Sequence, residues 1–220
     1  MKIVIAGGHG KIALRLAELL AKRGDETVGL VRNPDHVPDI DALGARGVLC
    51  DLEQAGTDEV AAYLIGADAV VFAAGAGPGS GIARKDTVDR AAAQLLADAA
   101  EQADVPTYVQ ISSMGAGRAP SATRGEAWAA YINAKTRAEE DLRARDLNWT
   151  IIRPGMLTDD PGTGRVTLAE PPVPRGPISR DDVALVIAEI LSSDAATRRT
   201  LELVAGDTPV PDAVRALRQG

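Results

Sequence analysis

Aromatic side chains make up only 3% of the 220 residues, with a single phenylalanine among them, so a substrate pocket has few rings to stack on, which disfavours a large aromatic substrate. Histidine occurs twice, at His9 and His36, and cysteine once, at Cys50. That leaves no intrachain disulfide and no Cys, His or carboxylate cluster at ligand spacing, so no metal is expected. The lone Cys50, behind Val48 and Leu49, reads as a buried thiol in a reducing cytoplasm. Lysine is scarce too, five of the 24 basic residues, and the net charge is −7. Without clustered Lys and Arg, a nucleic-acid partner is excluded. No apolar run reaches the roughly 18 residues of a membrane span, and the chain enters an apolar strand at once, unlike a signal peptide. The expectation is a soluble cytoplasmic protein with one α/β domain over residues 1–220.

What is present is a regular alternation. Apolar runs at Lys2 to Ala6, Thr27 to Val31, Gly47 to Cys50, Ala69 to Ala74, Thr107 to Ile111 and Trp149 to Ile152 predict strands. Helical patterns fall between them at Lys11 to Arg23, Asp58 to Ile65, Arg84 to Ala103 and Glu126 to Arg145. Continuous apolar strands alternating with helices predict a Rossmann-like, doubly wound parallel sheet covered on both faces. Ligands of such sheets bind along the carboxyl edge, where right-handed crossovers gather the strand ends. After Ile152 the texture becomes rich in proline. Residues 153–220 read as a small substrate-side lobe with a strand at Val166 to Leu168, a helix from Arg180 to Leu191, a strand at Leu201 to Ala205 and a last helix from Asp212. Trp128 and Trp149 are expected to pack.

The most informative stretch is Ile3-Val4-Ile5-Ala6-Gly7-Gly8-His9-Gly10-Lys11-Ile12-Ala13. It runs from a strand through a glycine turn into a helix, the arrangement that holds a dinucleotide pyrophosphate. Gly7 or Gly8 permits the tight turn, and Gly10 removes the Cβ that would block phosphate. The free N–H groups of the helix start, around Lys11 and Ile12, favour an anion without a basic side chain. His9 either touches the pyrophosphate or faces solvent. At the end of the second strand, Arg32 stands where an NAD-selective site carries an acidic residue. A guanidinium there matches a ribose 2′-phosphate, so NADP(H) is preferred and NAD(H) possible. Asp51 and Leu52 line the adenine or begin the next helix. Ala73, Ala74 and Gly75 leave room for the cofactor to cross the sheet edge.

Tyr131 and Lys135 sit four residues apart, on one face of a helix. A cation near a phenol favours the phenolate, which lets Tyr131 exchange a proton with a carbonyl or alcohol, while Lys135 also reaches the nicotinamide ribose. Ser112-Ser113 ends the preceding strand on the same edge, where one hydroxyl would orient the reacting oxygen.

With these residues the chain resembles the short-chain dehydrogenase/reductase superfamily, specifically its atypical branch of compact NAD(P)-binding proteins of epimerase/dehydratase-like or NmrA-like type. The resemblance rests on Gly7 to Ala13, Leu30-Val31-Arg32, Ile111-Ser112-Ser113, Tyr131 to Lys135, and Ile152-Arg153-Pro154-Gly155 with Leu157. It implies that Pro154 and Gly155 border the nicotinamide. It also implies Ser113, Tyr131 and Lys135 as the catalytic set, with the register of Ser112 against Ser113 open by one. The chain departs from the superfamily in having no Asn on the helix from Arg84 to Ala103, where Asp89 takes its place. Atypical members often keep the cofactor site and lose the catalytic set.

Two classes of function follow. One is an NADPH-dependent oxidoreductase acting on a small carbonyl or alcohol, with an epimerase or dehydratase as a variant disfavoured by the small C-terminal segment. The other is a redox sensor that binds NADP(H) and reports its state to a protein partner.

Overall fold

The computed structural model describes residues 1–77, 79–120 and 122–219. Its elements run, in chain order, β1 (Lys2–Ala6), α1 (Lys11–Arg23), β2 (Glu26–Val31), a 3-10 turn (Pro34–His36), α2 (Val37–Asp41), β3 (Arg46–Leu49), α3 (Thr57–Leu64), β4 (Ala69–Phe72), α4 (Gly81–Arg84), a π-helical stretch (Lys85–Ala91) and α5 (Ala92–Gln102). They continue with β5 (Thr107–Ile111), a 3-10 turn (Ala122–Arg124), α6 (Glu126–Arg143), β6 (Asn148–Pro154), β7 (Met156–Thr158), β8 (Arg165–Ala169), β9 (Pro177–Ser179), α7 (Arg180–Leu191), β10 (Arg199–Ala205), β11 (Thr208–Pro209), α8 (Val210–Ala216) and a closing 3-10 turn (Leu217–Gln219).

One sheet of nine strands organises the molecule, in the order β11-β8-β10-β6-β5-β4-β1-β2-β3. The seven strands from β10 to β3 are parallel to their neighbours, and β8 runs antiparallel to β10. Alternation along each strand explains the continuous apolar runs. Ile3 and Ile5 of β1, Val71 of β4 and Ile152 of β6 face the layer formed by α1, α7 and α8. Val4, Val70, Phe72, Tyr108 and Ile151 face the layer that includes α3 and α5. A strand buried on both sides has no polar face to show. The fold is therefore the Rossmann-like α/β architecture that the alternation of the sequence predicts.

Residues 153–219 build one edge of this sheet through β8, β10 and β11, and α7 packs its buried Val183, Val186, Ile187 and Ile190 into the same core as α1. The segment also forms a separate parallel pair, β7 with β9.

The expected helix Arg84 to Ala103 differs from prediction. Helical structure begins earlier, with α4 from Gly81, and passes through seven π-helical residues from Lys85 to Ala91, with regular α-helix only from Ala92. The wider turns carry Val88 and Asp89 inward, where both are buried. Such stretches cluster at functional positions. Trp149 lies in the core as expected, but Trp128 is only half-buried, with the Arg124 guanidinium 4.0 Å from its ring and Tyr131 at 5.5 Å between centroids.

Candidate functional site

The turn from β1 into α1 is set by its glycines. Gly7 has φ +78°, and a Cβ there would lie 2.6 Å from the Ala74 Cα, so β1 and the loop after β4 can meet only at glycine. Gly8 lies against Gly29 of β2 and donates its N–H to the Leu30 carbonyl at 2.9 Å. Gly10 closes the turn with a 2.9 Å bond from its N–H to the Gly7 carbonyl and caps α1 in extended conformation. The leading N–H groups of α1, at Lys11 and Ile12, are not spent within the helix.

This turn floors a cleft of about 280 Å3 at the carboxyl edge of the sheet. The cleft brings together Gly7, His9, Gly10, Arg32, Asp51, Leu52, Ala73, Ala74 and Gly75 from four separate strand ends, each singled out in the sequence. Cys50 and His36 line it as well, whereas Gly8, Lys11, Ile12, Ser113, Tyr131, Lys135, Pro154 and Gly155 lie outside its lining. The Lys11 ammonium points to Asp159 at 2.5 Å, and the Ile12 side chain belongs to the core. Asp51 spends one carboxylate oxygen on the Glu53 N–H at 3.0 Å and so shapes the turn after β3. The helix that follows is capped by Gly56 instead.

Several cleft residues were not foreseen. His36 stacks on His9, rings 3.7 Å apart and within 9° of parallel, and His9 Nε2 lies 2.7 Å from Asp39 Oδ2. His9 is thus not a free loop side chain, and among the described residues no group of three or more His, Cys, Asp or Glu could hold a metal ion. Glu53 and Arg84 also line the cleft. Glu53 accepts from Arg84 Nη2 at 2.6 Å, Thr87 Oγ1 at 2.7 Å and Arg32 Nη1 at 3.2 Å. The Arg84 hydrogen bond, helped by Thr87, holds the Glu53 carboxyl below the usual range despite its partial burial. Two acidic residues spaced i, i+2 after β3 were the sequence signal available for Glu53. Arg84 had none, because it reaches the cleft through the irregular start of its helix.

The residues expected from the sequence to form a catalytic set, Ser113, Tyr131 and Lys135, lie outside the cleft lining. Ser112 is buried, and its hydroxyl is committed to Glu139 Oε1 at 2.5 Å, within a network that Arg153 completes by donating to both Glu139 oxygens, at 2.9 and 2.5 Å. Ser113 and Tyr131 are half-buried, and neither hydroxyl has a hydrogen-bond partner among the described residues. The Lys135 ammonium is 5.9 Å from the Tyr131 ring centroid, donates to the Ile111 carbonyl at 3.1 Å, and pairs with Asp89 at 3.2 Å. Asp89 in turn accepts from the Ala76 N–H at 3.2 Å, which links this group to the cleft wall. Pro154 ends β6, and its carbonyl accepts from the Met114 N–H at 3.2 Å. Gly155 is required by chain crossing, since a Cβ there would lie 2.1 Å from the Gly176 carbonyl oxygen.

A glycine cradle that a Cβ would fill, unspent helix N–H groups and a guanidinium beside the end of β2 fit a dinucleotide. Among the described residues no helix is long and apolar enough to cross a membrane. A family described as NAD(P)H-binding matches residues 7–194. The chain is 35% identical over 218 residues to the uncharacterized sugar epimerase YhfK of Bacillus subtilis (strain 168), covering 99% of this chain and 100% of that protein. It is 32% identical over 225 residues to the UPF0659 protein YMR090W of Saccharomyces cerevisiae, with 99% of each chain covered. A solved structure of a candidate NAD-dependent epimerase/dehydratase from Bacillus halodurans superimposes with TM-score 0.89 at 32% identity, over 98% of this chain and 99% of that one. The oxidoreductase ylbE from Lactococcus lactis gives TM-score 0.85 at 26% identity, over 100% of this chain and 98% of that one. With most of its length inside that match and relatives of equal span, this chain belongs to the NAD(P)H-binding family, within the atypical branch of the short-chain dehydrogenase/reductase superfamily.

Proposed function

We propose that the protein is an NADPH-dependent oxidoreductase acting on a small carbonyl or alcohol. The observation that carries this reading is a pair of half-buried hydroxyls without hydrogen-bond partners among the described residues, Ser113 just past β5 and Tyr131 in the second turn of α6, with the Lys135 ammonium 5.9 Å from the Tyr131 ring centroid. The cleft, at about 280 Å3, suits the adenosine end of the cofactor, and the remainder runs along the sheet edge toward these hydroxyls. Gly7, Gly8, His9, Gly10, Lys11 and Ile12 hold the pyrophosphate. Arg32 takes the ribose 2′ position and favours NADP(H), with NAD(H) still accepted. Asp51, Leu52, Ala73, Ala74 and Gly75 bound the adenosine, and Lys135, Pro154 and Gly155 the nicotinamide half. When bound, the nicotinamide supplies or accepts the hydride. Ser113 Oγ orients the carbonyl oxygen, Tyr131 gives that oxygen its proton, and Lys135 stabilises the phenolate that remains. The residues after β6 make the substrate side, and the setting is cytoplasmic. The partners on this reading are a small-molecule substrate, with neither nucleic acid nor membrane.

The test is turnover of NADPH against a panel of small aldehydes and ketones, followed by loss of reduced-nicotinamide absorbance. Tyr131→Phe is expected to lower kcat by about 10²–10⁴-fold with cofactor affinity unchanged. Wild-type turnover in that variant would exclude the proton-transfer role.

A second reading, a non-catalytic NADP(H) sensor, is supported by Asp89, whose buried carboxylate balances the Lys135 charge that the phenol would otherwise feel. A sensor needs a gap in affinity between NADP⁺ and NADPH, because a ligand shifts a partner-binding equilibrium only by its differential affinity. Calorimetric titration with both forms separates the readings: a gap of tenfold or more with no turnover supports the sensor, and similar affinities support the enzyme.

A further inference from the structure

We propose that Glu53 sets the cofactor choice of this cleft by occupying, with its own carboxylate, the guanidinium that a ribose 2′-phosphate would use. This rests on the reading of Arg32 as the residue at the ribose 2′ position, and it goes beyond that reading by assigning a residue that opposes it.

The three side chains are unequally bound. Arg84 grips Glu53 with two nitrogens, Nη2 at 2.6 Å and Nε at 3.5 Å, and Thr87 adds a third bond at 2.7 Å. Arg32 makes one contact at 3.2 Å, and its side chain is 55% exposed while that of Glu53 is 19% exposed. Arg84 and Thr87 therefore fix the carboxylate in the cleft, and Arg32 is the detachable partner. A planar carboxylate between two guanidinium groups offers them what a phosphate would offer.

NADP(H) arriving at this cleft has to draw Arg32 away from Glu53 and bring its 2′-phosphate up to a fixed negative charge. Asp51 adds a second carboxylate to the lining, so its two arginines are balanced by two acids. NAD(H) presents only a hydroxyl at the same place and meets neither obstacle. Specificity is a difference of affinities, and a built-in repulsive group lowers one of them. Glu53 thus narrows the NADP(H) preference that Arg32 creates and keeps NAD(H) usable. Glu53→Gln keeps the shape and the bond from Thr87, removes the charge and releases both arginines for the phosphate.

The experiment is calorimetric titration of NADP⁺ and NAD⁺ into wild type, Glu53→Gln, Arg84→Met and Arg32→Ala at one ionic strength, with melting curves to confirm folding. Glu53→Gln is expected to bind NADP⁺ at least tenfold more tightly and NAD⁺ within twofold of wild type. Arg84→Met leaves Glu53 to Arg32 alone, so NADP⁺ weakens threefold or more while NAD⁺ holds, which tests the same interaction from its other side. Unchanged NADP⁺ affinity in Glu53→Gln, with Arg32→Ala still lowering the NADP⁺/NAD⁺ ratio, overturns the role of Glu53 and leaves the Arg32 reading standing. A loss of NAD⁺ affinity in Glu53→Gln also overturns it, because Glu53 would then be a ligand of the ribose hydroxyl. An unchanged ratio in Arg32→Ala removes the reading on which the inference rests.

Discussion

Lys135 and Asp89 form an ion pair sealed from solvent, with Nζ 3.2 Å from Oδ1 and side chains 5% and 1% exposed. The contact is electrostatic rather than hydrogen-bonded, since Asp89 Oδ1 accepts no hydrogen bond among the described residues. Removing one partner of a buried pair strands the other charge. Asp89→Ala is therefore expected to lower the unfolding free energy by about 3–5 kcal/mol in urea denaturation. Asp89→Asn, which can still accept from the Ala76 N–H, is expected to cost less. A loss in Asp89→Ala no larger than that of an ordinary surface substitution would mean that Lys135 finds water or another acceptor.

The two adjacent serines should separate stability from activity. Ser112→Ala takes one partner from the fully buried Glu139 and is expected to destabilise by about 1–3 kcal/mol. Ser113→Ala removes a hydroxyl with no hydrogen-bond partner among the described residues, so the melting temperature should hold while kcat falls. Equal melting curves with an activity loss only in Ser112→Ala would reverse the assignment.

The fold was legible because its signals are local. β1, α1, β5 and α7 match their expected spans residue for residue, since an unbroken apolar run or a capped amphipathic repeat marks each one. The nine cleft residues read from the sequence all lie in the turns just past the ends of β1, β2, β3 and β4, whose position follows from topology. What stayed hidden depends on packing across the chain. The stack of His36 on His9, and the grip of Arg84 on Glu53 from 31 residues away, arise where separate loops meet. The π-helical stretch from Lys85 to Ala91 carries the same composition as a plain helix, and only the burial of Asp89 against Lys135 distinguishes it. Ser112 and Ser113 are identical in sequence terms; only the structure shows that Glu139, a turn beyond Lys135, takes the hydroxyl of Ser112.

Two glycines of the first turn should respond differently to alanine. At Gly7 the positive φ and the 2.6 Å approach to the Ala74 Cα make alanine a strain on the fold, about 1–3 kcal/mol, along with loss of cofactor binding. At Gly10 the backbone is extended and a Cβ would meet the Gly7 carbonyl oxygen at 3.2 Å and the Ala73 carbonyl oxygen at 3.7 Å, which small shifts relieve. Gly10→Ala is expected to change stability by less than about 1 kcal/mol while weakening NADP⁺ at least tenfold, because the new methyl sits on the cleft floor. Titration and melting of both variants check this; full NADP⁺ affinity in Gly10→Ala would move the pyrophosphate elsewhere.

Cys50 gives the clearest pH dependence. Burial, with Glu59 and Asp51 nearby, pushes its thiol from 9.0 to about 11, so at pH 8 it should stay unmodified by a maleimide in the folded protein and react on unfolding. The same shift fixes the sign of a stability change. The folded thiol is the weaker acid, so its contribution is whole below pH 9 and is lost as the pH rises through about 11, because the unfolded chain releases the proton first. The loss is on the order of 2 kcal/mol. Tyr108, buried with its phenol pushed up as well, adds to alkaline destabilisation, so the comparison must be with a variant that lacks only the thiol. Denaturant midpoints between pH 8 and 11 should fall less steeply in Cys50→Ala than in wild type, and parallel slopes would show that the thiol does not carry the effect.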